Sequence, residues 1–314
     1  MSHREYTEIT AVNWSTLKAL DTSPLAYRWL LDHPRPDKPA FALGRLFHTL
    51  TLEPAAFAGR YAVTDKLPPE GWDTIYNGEK NVGWATCPAK VRRGKAWDAL
   101  VSEYAGRDVP LFTSPEVDRA MDWGDQHGDA EEIVTPAMLE QAEAMADAAW
   151  SHGENAALLT GGRAEETVTW TDAATGLDCK GRLDYITPLG LVDLKSTRNI
   201  EPRRFLRDAA SYGYHGQLAF YHDGAVTAGV LPPDAEPPRL IAVQSSAPWD
   251  VAVYRLPPDV LEAGRAWYRS LLEKLLDCTE AEWWPGVAPG VLDLDLPGWA
   301  AGMDDEDEQE EEVL

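Results

Sequence analysis

The feature that most constrains this chain is the segment 181–197, in which charged residues alternate with apolar ones around a turn. Asp184 precedes the turn at residues 187–190, and Asp193 and Lys195 follow it among Leu and Val residues. If residues 187–190 form a four-residue hairpin loop, which is a common length, residue 184 pairs with residue 193. Side chains alternate along a strand, so Lys195 is predicted to share one face with both aspartates.

This arrangement indicates a metal site. Two carboxylates opposed on one face of a sheet repel each other, and folding alone gives no reason to choose them. A divalent cation between Asp184 and Asp193 supplies the reason, because Mg²⁺ binds carboxylate oxygens and keeps several waters, one of which can attack a substrate. The Lys195 ammonium would orient that water or stabilise charge building on phosphoryl oxygens. The alternative is an Asp193–Lys195 salt bridge on an edge strand, but the apolar neighbours favour a buried strand, where ion pairs rarely persist for stability alone.

Other residues are weaker candidates when each is taken alone. Glu165 begins the preceding predicted strand and could add a third carboxylate, although the neighbouring Glu166 could do so instead. His48 lies one helical turn after Gly44, at the edge of an apolar helix stripe, where a packed or solvated histidine is the commoner interpretation. Residues 217 and 221, a glutamine and a tyrosine, lie four apart and would share one helix face.

The periodicity of the chain predicts an α/β fold with a central mixed β-sheet flanked by helices. Two short helices are expected within residues 13–31, beginning at the N-caps Asn13 and Ser23. The remaining predicted helices cover residues 42–52, 96–104, 136–152, 202–206, 214–224 and 261–276. The predicted strands cover residues 166–171, 177–186, 191–195, 240–244 and 251–254. Residues 67–94 are rich in Pro, Gly and Asn and are predicted to form a long loop.

We expect one domain over residues 1–302, with a helical N-terminal part at about 1–155 and a catalytic sheet core at about 156–302. Residues 303–314 contain eight acids and no base, so they are predicted to form a disordered acidic tail. No apolar run is long enough to span a bilayer, and the N-terminus has no secretory pattern, so we expect a cytoplasmic protein without membrane contact. The three cysteines form no CxxC pair and are expected to be reduced thiols.

The charge of the chain argues against an ordinary nucleic-acid-binding surface. The formal net charge is −24, and the tail accounts for only part of it. Proteins that coat DNA are usually basic, because neutralising phosphates supplies most of their affinity. A DNA-binding protein of this composition would therefore need its basic residues concentrated near the site. Basic residues that could form such a lining follow one another in sequence around it: Lys180, Arg182, Lys195, Arg198, Arg203, Arg204 and Arg207.

Taken together, the motifs resemble those of a known family. Gly44-x-x-x-His48, Gly181-x-x-Asp184, Asp193-x-Lys195 and Gln217-x-x-x-Tyr221 occur in the order found in RecB-like nucleases of the PD-(D/E)XK superfamily. The likeness is greatest to the C-terminal nuclease domain of exodeoxyribonuclease VIII (RecE) and its phage relatives. It covers roughly residues 5–300, with a weak stretch at about 65–150. No single motif is specific, but the ordered set is.

The resemblance implies a PD-(D/E)XK nuclease core and assigns roles to individual residues. The implied metal ligands are Asp184, Asp193, Glu165 and His48. The implied catalytic residue is Lys195, supported by Gln217 and Tyr221. The implied cofactor is Mg²⁺, with Mn²⁺ as a substitute. Iron–sulfur members of the superfamily need four cysteines, whereas this chain has three that are widely spread, so no cluster is expected.

The resemblance also implies an exonuclease that degrades linear double-stranded DNA from the 5′ end and exposes 3′ single strands for recombination or repair. Such an enzyme would be a ring-shaped homo-oligomer paired with a single-strand annealing protein. One alternative is a structure-selective or restriction-type endonuclease on the same fold. Another is a catalytically silent scaffold that binds a recombination partner, although a silent copy has no need for opposed carboxylates.

Overall fold

The computed structural model describes residues 3–34, 38–66, 68, 75, 85–87, 90–107, 109–128, 130–188, 190–288 and 290–294. The helices with described bounds are α1 (His3–Glu8), α2 (Trp14–Leu17), α3 (Ala19–Thr22), α4 (Pro24–Asp32), α5 (Pro39–Leu52), α6 (Phe57–Arg60), α7 (Lys95–Glu103), α8 (Ser114–His127), α9 (Pro136–Ser151), α10 (Asn155–Leu158), α11 (Pro202–Tyr212), α12 (Tyr214–Thr227) and α13 (Pro258–Glu280). The strands are β1 (Tyr61–Val63), β2 (Ala85–Cys87), β3 (Leu111–Thr113), β4 (Glu132–Val134), β5 (Arg163–Thr171), β6 (Asp178–Ile186), β7 (Gly190–Thr197), β8 (Glu236–Gln244) and β9 (Val251–Arg255).

A five-stranded mixed sheet forms the centre of the molecule, in the order β5-β6-β7-β8-β9. The β7–β8 pair is parallel, and the other three pairs are antiparallel. Two small parallel pairs, β1 with β4 and β2 with β3, lie outside this sheet. The α/β prediction with a central mixed sheet flanked by helices is confirmed.

Apolar side chains on the two faces of the sheet belong to two different core clusters. Leu191 and Leu240 pack in a cluster with α2, α3, α12 and α13. The next residues, Val192 and Ile241, pack with α5 and α9 instead. This alternation of neighbouring residues is what a strand requires when both of its faces are covered. The sheet is therefore a middle layer between two layers of helices.

The predicted hairpin register is confirmed at its closed end. Ile186 pairs with Leu191, and Tyr185 pairs with Val192. The ladder ends there, one pair before Asp184 and Asp193. The reason is local, because the main-chain N–H of Leu194 donates to the Asp184 carboxylate at 2.8 Å. The two strands consequently separate where the candidate site residues begin.

The N-terminal segment is fixed to the sheet by Lys180 and by a short stretch of pairing. The Lys180 ammonium donates to the carbonyl oxygens of Tyr6 and Ile9 at 2.8 and 2.7 Å. Val12 bridges to Cys179 in parallel register. Lys180 is buried, so its charge is held by carbonyl oxygens rather than by water. The prediction that Lys180 lines a DNA channel is therefore wrong, because its side chain points into the protein.

Most predicted elements are present, with ends that differ by a few residues. Asn13 and Ser23 cap α2 and α4 as predicted, accepting from main-chain N–H groups at 3.1 and 3.0 Å. Helix α8 was not predicted, because it is rich in acids and two of its three buried residues are the small Ala120 and Gly124. The predicted loop 67–94 lies largely outside the described residues, and the acidic tail lies entirely outside them. Among the described helices, none combines the length and apolar character that crossing a bilayer would need.

Candidate metal centre

His48, Glu165 and Asp184 bring three metal-binding groups together at the edge of the separated strands. One ligand atom from each residue lies within 4.8 Å of the others. The three side chains come from α5, β5 and β6, and each is largely buried, with 21%, 17% and 14% of its surface exposed. Sequence analysis named all three, and the structure places them around one point.

Glu165 reaches this point because β5 is distorted there. Ala164 pairs with Tyr185 and Glu166 with Leu183, so Glu165 lies opposite Asp184 but forms no pair of its own. Its φ is +50°, in the left-handed region that non-glycine residues rarely adopt. Such a conformation costs on the order of 1–3 kcal/mol and persists where the surroundings enforce it. The adjacent Glu166 lies in an ion pair with Arg163 at 3.4 Å, so Glu165 is the acid placed in the cluster.

The main chain of Leu194 holds two members of the cluster. Its N–H donates to Asp184 Oδ2 at 2.8 Å, and its carbonyl oxygen lies 2.8 Å from His48 Nε2. At residue 44 of α5 a Cβ atom would lie 3.8 Å from Ser196 Oγ, an ordinary contact distance, so the approach of α5 to β7 does not depend on glycine there. Because β7 does not pair with β6 at Leu194, its main chain there positions Asp184 and His48 instead.

The histidine contact fixes which ring nitrogen is available. A carbonyl oxygen only accepts, so Nε2 of His48 carries the proton that it donates to Leu194. In the neutral ring Nδ1 is then unprotonated, and it lies 3.7 Å from a carboxylate oxygen of Glu165 and 3.7 Å from one of Asp184. A lone pair facing two carboxylates requires a positive charge, which is either a second proton or a cation. Metal-binding histidines commonly donate their other N–H to such a carbonyl group.

The pKa shifts of the three groups reflect their burial and their closeness to one another. Burial alone lowers the pKa of His48, but the carboxylates of Asp184 and Glu165 outweigh it and raise the pKa above its ordinary value. Burial raises the pKa of Asp184 to about 6, with His48 acting in the opposite direction and Asp193 adding to the increase. The pKa of Glu165 is lowered, because His48 and Arg182 outweigh its burial. The cluster thus holds more negative charge than its surroundings stabilise without a cation.

Asp193 and Lys195 form a buried ion pair beside the cluster. Lys195 Nζ lies 2.6 Å from Asp193 Oδ2, and 2% of the Asp193 side chain is exposed. That oxygen accepts no hydrogen bond of regular geometry. Asp193 does not belong to the three-residue cluster among the described residues, so it and Asp184 are not directly opposed as predicted. Asp193 still raises the pKa of Asp184, which places the two carboxylates within electrostatic reach.

The Lys195 ammonium remains charged in this environment. Burial lowers the pKa of Lys195, but the carboxylates of Asp193 and Asp184 outweigh it and raise the pKa above its usual value. The ammonium also lies 5.2 Å from the centre of the Tyr214 ring. Tyr214 was not predicted as a site residue, because its nearness to Lys195 is apparent only once α12 is placed against β7. Lys195 therefore offers a fixed positive charge and not a base.

Gln217 and Tyr221 lie behind β6 and outside the metal cluster. Tyr221 packs on Gly181, where a Cβ atom would come within 2.9 Å of the tyrosine ring. Burial raises the pKa of Tyr221, and the nearby Gln217 side chain acts in the opposite direction. The glycine of the Gly181-x-x-Asp184 motif thus leaves room for the tyrosine. The two residues support the strand that carries Asp184.

Arg182, predicted as part of a basic lining, has a structural partner instead. Its Nε donates to Glu165 Oε2 at 2.6 Å, and 16% of its side chain is exposed. This bond holds one oxygen of Glu165 and leaves the other, Oε1, facing His48. Arg182 is therefore a positioning residue for the cluster. Its sequence position could not predict this role, because its partner Glu165 belongs to another strand.

The donor set fits a divalent cation. His48 Nδ1 lies 3.7 Å from a carboxylate oxygen of Glu165 and of Asp184, without a hydrogen bond to either, and burial holds the pKa of Asp184 above its ordinary value. Carboxylate oxygens suit Mg²⁺, and a nitrogen ligand is more favourable for Mn²⁺. Asp193 Oδ2 is held by the Lys195 ammonium at 2.6 Å, and Asp193 lies outside the three-residue cluster of the described residues.

Comparisons with known proteins agree on the fold. Residues 13–291 match the model of a family described as a PDDEXK-like domain of unknown function (DUF3799). No curated protein matches the chain. One solved structure, a protein of Eubacterium rectale described as a "Putative exonuclease", has a TM-score of 0.52 and 14% identity, and the match covers 96% of this chain and 98% of that one. At this identity the match to the solved structure shows a shared fold alone.

The family model spans most of the chain, and the mixed five-stranded sheet flanked by helices agrees with it. The chain therefore belongs to the PDDEXK-like DUF3799 family and has the fold of the PD-(D/E)XK nuclease superfamily.

Proposed function

We propose that this protein is a Mg²⁺-dependent deoxyribonuclease that degrades linear double-stranded DNA from the 5′ end. The observation that carries the proposal is the convergence of His48, Glu165 and Asp184 on one point, next to the buried Asp193–Lys195 pair. Membership of a PDDEXK-like family and the likeness to a structure described as an exonuclease support a nuclease.

The residues of the site have separable tasks. His48, Glu165 and Asp184 would hold the cation, and Asp193 would complete its surroundings. A divalent cation there acts as a Lewis acid on a phosphoryl oxygen and lowers the pKa of water. Phosphodiester hydrolysis forms a bond between a water oxygen and phosphorus and breaks a P–O ester bond.

Lys195 would stabilise the transition state of this reaction. Its raised pKa keeps the ammonium charged across the working pH range. A fixed cation in a largely buried site stabilises negative charge that builds on the phosphoryl oxygens, and it needs no rearrangement when the reaction occurs. Asp193 holds the ammonium in place at 2.6 Å. The Tyr214 ring lies 5.2 Å from the same ammonium.

The exonuclease mode and the ring follow from the charge of the chain and from the family resemblance. A protein with formal net charge −24 neutralises few phosphates on an open surface. A closed ring of several copies would keep the duplex in place by topology, so that basic residues are needed only near each site. The 5′ polarity and the role with a single-strand annealing protein in recombination or repair rest on the resemblance.

The test uses linear duplex labelled at the 5′ or the 3′ end, and relaxed closed circles of the same sequence. We expect Mg²⁺-dependent release of the 5′ label, no cutting of circles, and continued digestion after excess unlabelled DNA is added. Sedimentation is expected to show a trimer or a larger oligomer. Efficient cutting of circles, or a fully active monomer, would favour an endonuclease. No cleavage of either substrate with Mg²⁺ or Mn²⁺ would favour the silent scaffold.

A further inference from the structure

Nine arginines in the described part of this acidic chain have a carboxylate partner. Ion pairs are formed by Arg28, Arg45, Arg60, Arg92, Arg163, Arg182, Arg239, Arg265 and Arg269. Four arginines that form no ion pair with a described residue fall close together, at Arg198, Arg203, Arg204 and Arg207, and all four are exposed. In a chain with formal net charge −24, such a concentration of unpaired arginines is unexpected.

Two arginines of α11 are placed where repulsion between their charges destabilises the helix. Phe205 is the buried residue of this helix. Arg203 and Arg207 lie two positions to either side of it, on the opposite, solvent-facing side, and are four residues apart. Like charges at this spacing repel and destabilise a helix. The Glu201 carboxylate accepts from the main-chain N–H groups of residues 203 and 204 as the N-cap, and it forms no ion pair with their guanidinium groups, although their charges help to lower its pKa. Folding alone does not explain this pair.

Helix α11 is connected to the candidate metal centre through two aromatic contacts. The Phe205 ring stacks on Tyr254 with centroids 4.9 Å apart, and lies 6.4 Å from the Tyr214 ring. Tyr214 is the ring that lies 5.2 Å from Lys195 Nζ. The helix also begins a few residues after β7, which carries Asp193 and Lys195. The helix therefore lies two ring contacts away from Lys195, with its exposed face on the side opposite Phe205.

We propose that the outer face of α11, together with Arg198, binds the phosphate backbone of duplex DNA and holds it beside the metal centre. This inference rests on the proposed function. Guanidinium groups bind phosphate through two parallel hydrogen bonds, which makes arginine suited to backbone contacts. Residues 203 and 207 are separated by one helical turn, about 6 Å along the axis, so both can contact one strand. An acidic protein partner would be a different occupant of the same face.

The test measures duplex binding in EDTA, where the proposed enzyme does not cleave. Fluorescence anisotropy with a short labelled linear duplex gives Kd for the full chain between 50 and 200 mM salt. The variant is Arg203→Ala/Arg207→Ala. The control is Arg107→Ala/Arg119→Ala, which removes two exposed arginines that also form no ion pair with a described residue. A conservative variant, Arg203→Lys/Arg207→Lys, keeps the charge on α11.

Each phosphate contact contributes about 0.9 to the slope of log Kd against log salt concentration. The double alanine variant is therefore expected to lose about 2 from that slope, and its affinity deficit should shrink about tenfold between 50 and 200 mM salt. The control and the lysine variant should keep slopes close to the wild type. Equal losses in the α11 variant and the control, an unchanged slope in the α11 variant, or no duplex binding by the wild type would overturn the inference.

Mg²⁺-dependent cleavage by the wild type is measured in parallel to separate the two proposals. If the wild type binds duplex through α11 but cleaves no DNA, the binding surface stands and the proposed function fails. If it cleaves DNA and the α11 variant retains its slope, the proposed function stands and the surface does not. An α11 variant that keeps its slope for duplex but loses binding to a labelled acidic peptide would point to a protein partner and contradict the DNA assignment.

Discussion

Asp184→Asn tests the electrostatic description of the site most directly. Burial and Asp193 raise the pKa of this carboxyl from 3.8 to about 6 in the folded protein. A folded-state pKa above the unfolded value means that the protonated form stabilises the fold below pH 4, and that this stabilisation is lost as the pH rises through 6. At pH 8 the ionised carboxyl therefore costs folding free energy unless a cation is bound.

The magnitude follows from the difference between the two pKa values. One pKa unit corresponds to 1.36 kcal/mol, so ionised Asp184 costs about 3 kcal/mol at pH 8 without metal. Asparagine has the same shape, carries no charge and keeps an oxygen that can accept from Leu194. For a chain of this length, about 3 kcal/mol corresponds to an increase in Tm of about 4–5 °C.

The assay is thermal unfolding at pH 8 in EDTA and in millimolar Mg²⁺ or Mn²⁺. We expect Asp184→Asn to melt above the wild type in EDTA and to gain nothing from metal. The wild type should gain about 2.7 kcal/mol when the metal concentration is a hundred times Kd. Asp147→Asn, at an exposed position of α9, is the control and should behave like the wild type in both buffers. A variant that melts below the wild type in EDTA, or that gains as much from metal, would refute this reasoning.

Three further predictions concern the site and the tail. Asp193→Asn should reduce metal-induced stabilisation and abolish cleavage. Lys195→Ala should keep that stabilisation and lose most of kcat, because the ammonium acts on the transition state. Equal metal-induced stabilisation of Asp193→Asn and the wild type would contradict the proposed site. Metal affinity, measured by calorimetry, should weaken as the pH falls from 8 to 5, by up to about tenfold per pH unit for each displaced proton. The reason is that the raised pKa values of His48 and Asp184 make protons compete with the cation. Metal affinity that does not change with pH would argue against these ligands. Truncation after Gly302 should leave Tm unchanged and tighten duplex binding at low salt, with the difference decreasing as salt screens the charge, and a lower Tm would show that the tail takes part in folding.

The sequence was sufficient for the sheet and for the position of its hairpin. Alternation of apolar and charged residues around the turn at 187–190 predicted the pairing of Tyr185 with Val192. It could not predict that the ladder ends at the next residue, because a regular register assumes that main-chain groups bond to one another. Here the Asp184 carboxylate takes the N–H of Leu194 instead. Competition between side chain and main chain for one donor is decided by three-dimensional packing.

Strand β8 shows a second limit of sequence patterns. The predicted strand began at residue 240, because two prolines at residues 237 and 238 lack the N–H that a ladder needs. The observed strand begins at Glu236, and its register with β7 shifts between Gly190 and Val192. The irregularity accommodates the prolines. Likewise the neighbours of Lys180 come from a segment far away in sequence, so its burial could not be inferred from the basic residues around it.

The contacts of Leu194 have a consequence for how the site can be studied. Its two bonds to Asp184 and His48 come from its main-chain N–H and its carbonyl oxygen, which every residue except proline offers together. Alanine scanning would therefore report only lost packing at this position, and a comparison of related sequences would find its side chain free to vary among apolar types. Replacing the amide by an ester, which removes the donor and leaves the side chain intact, would expose a contribution that side-chain mutagenesis does not detect.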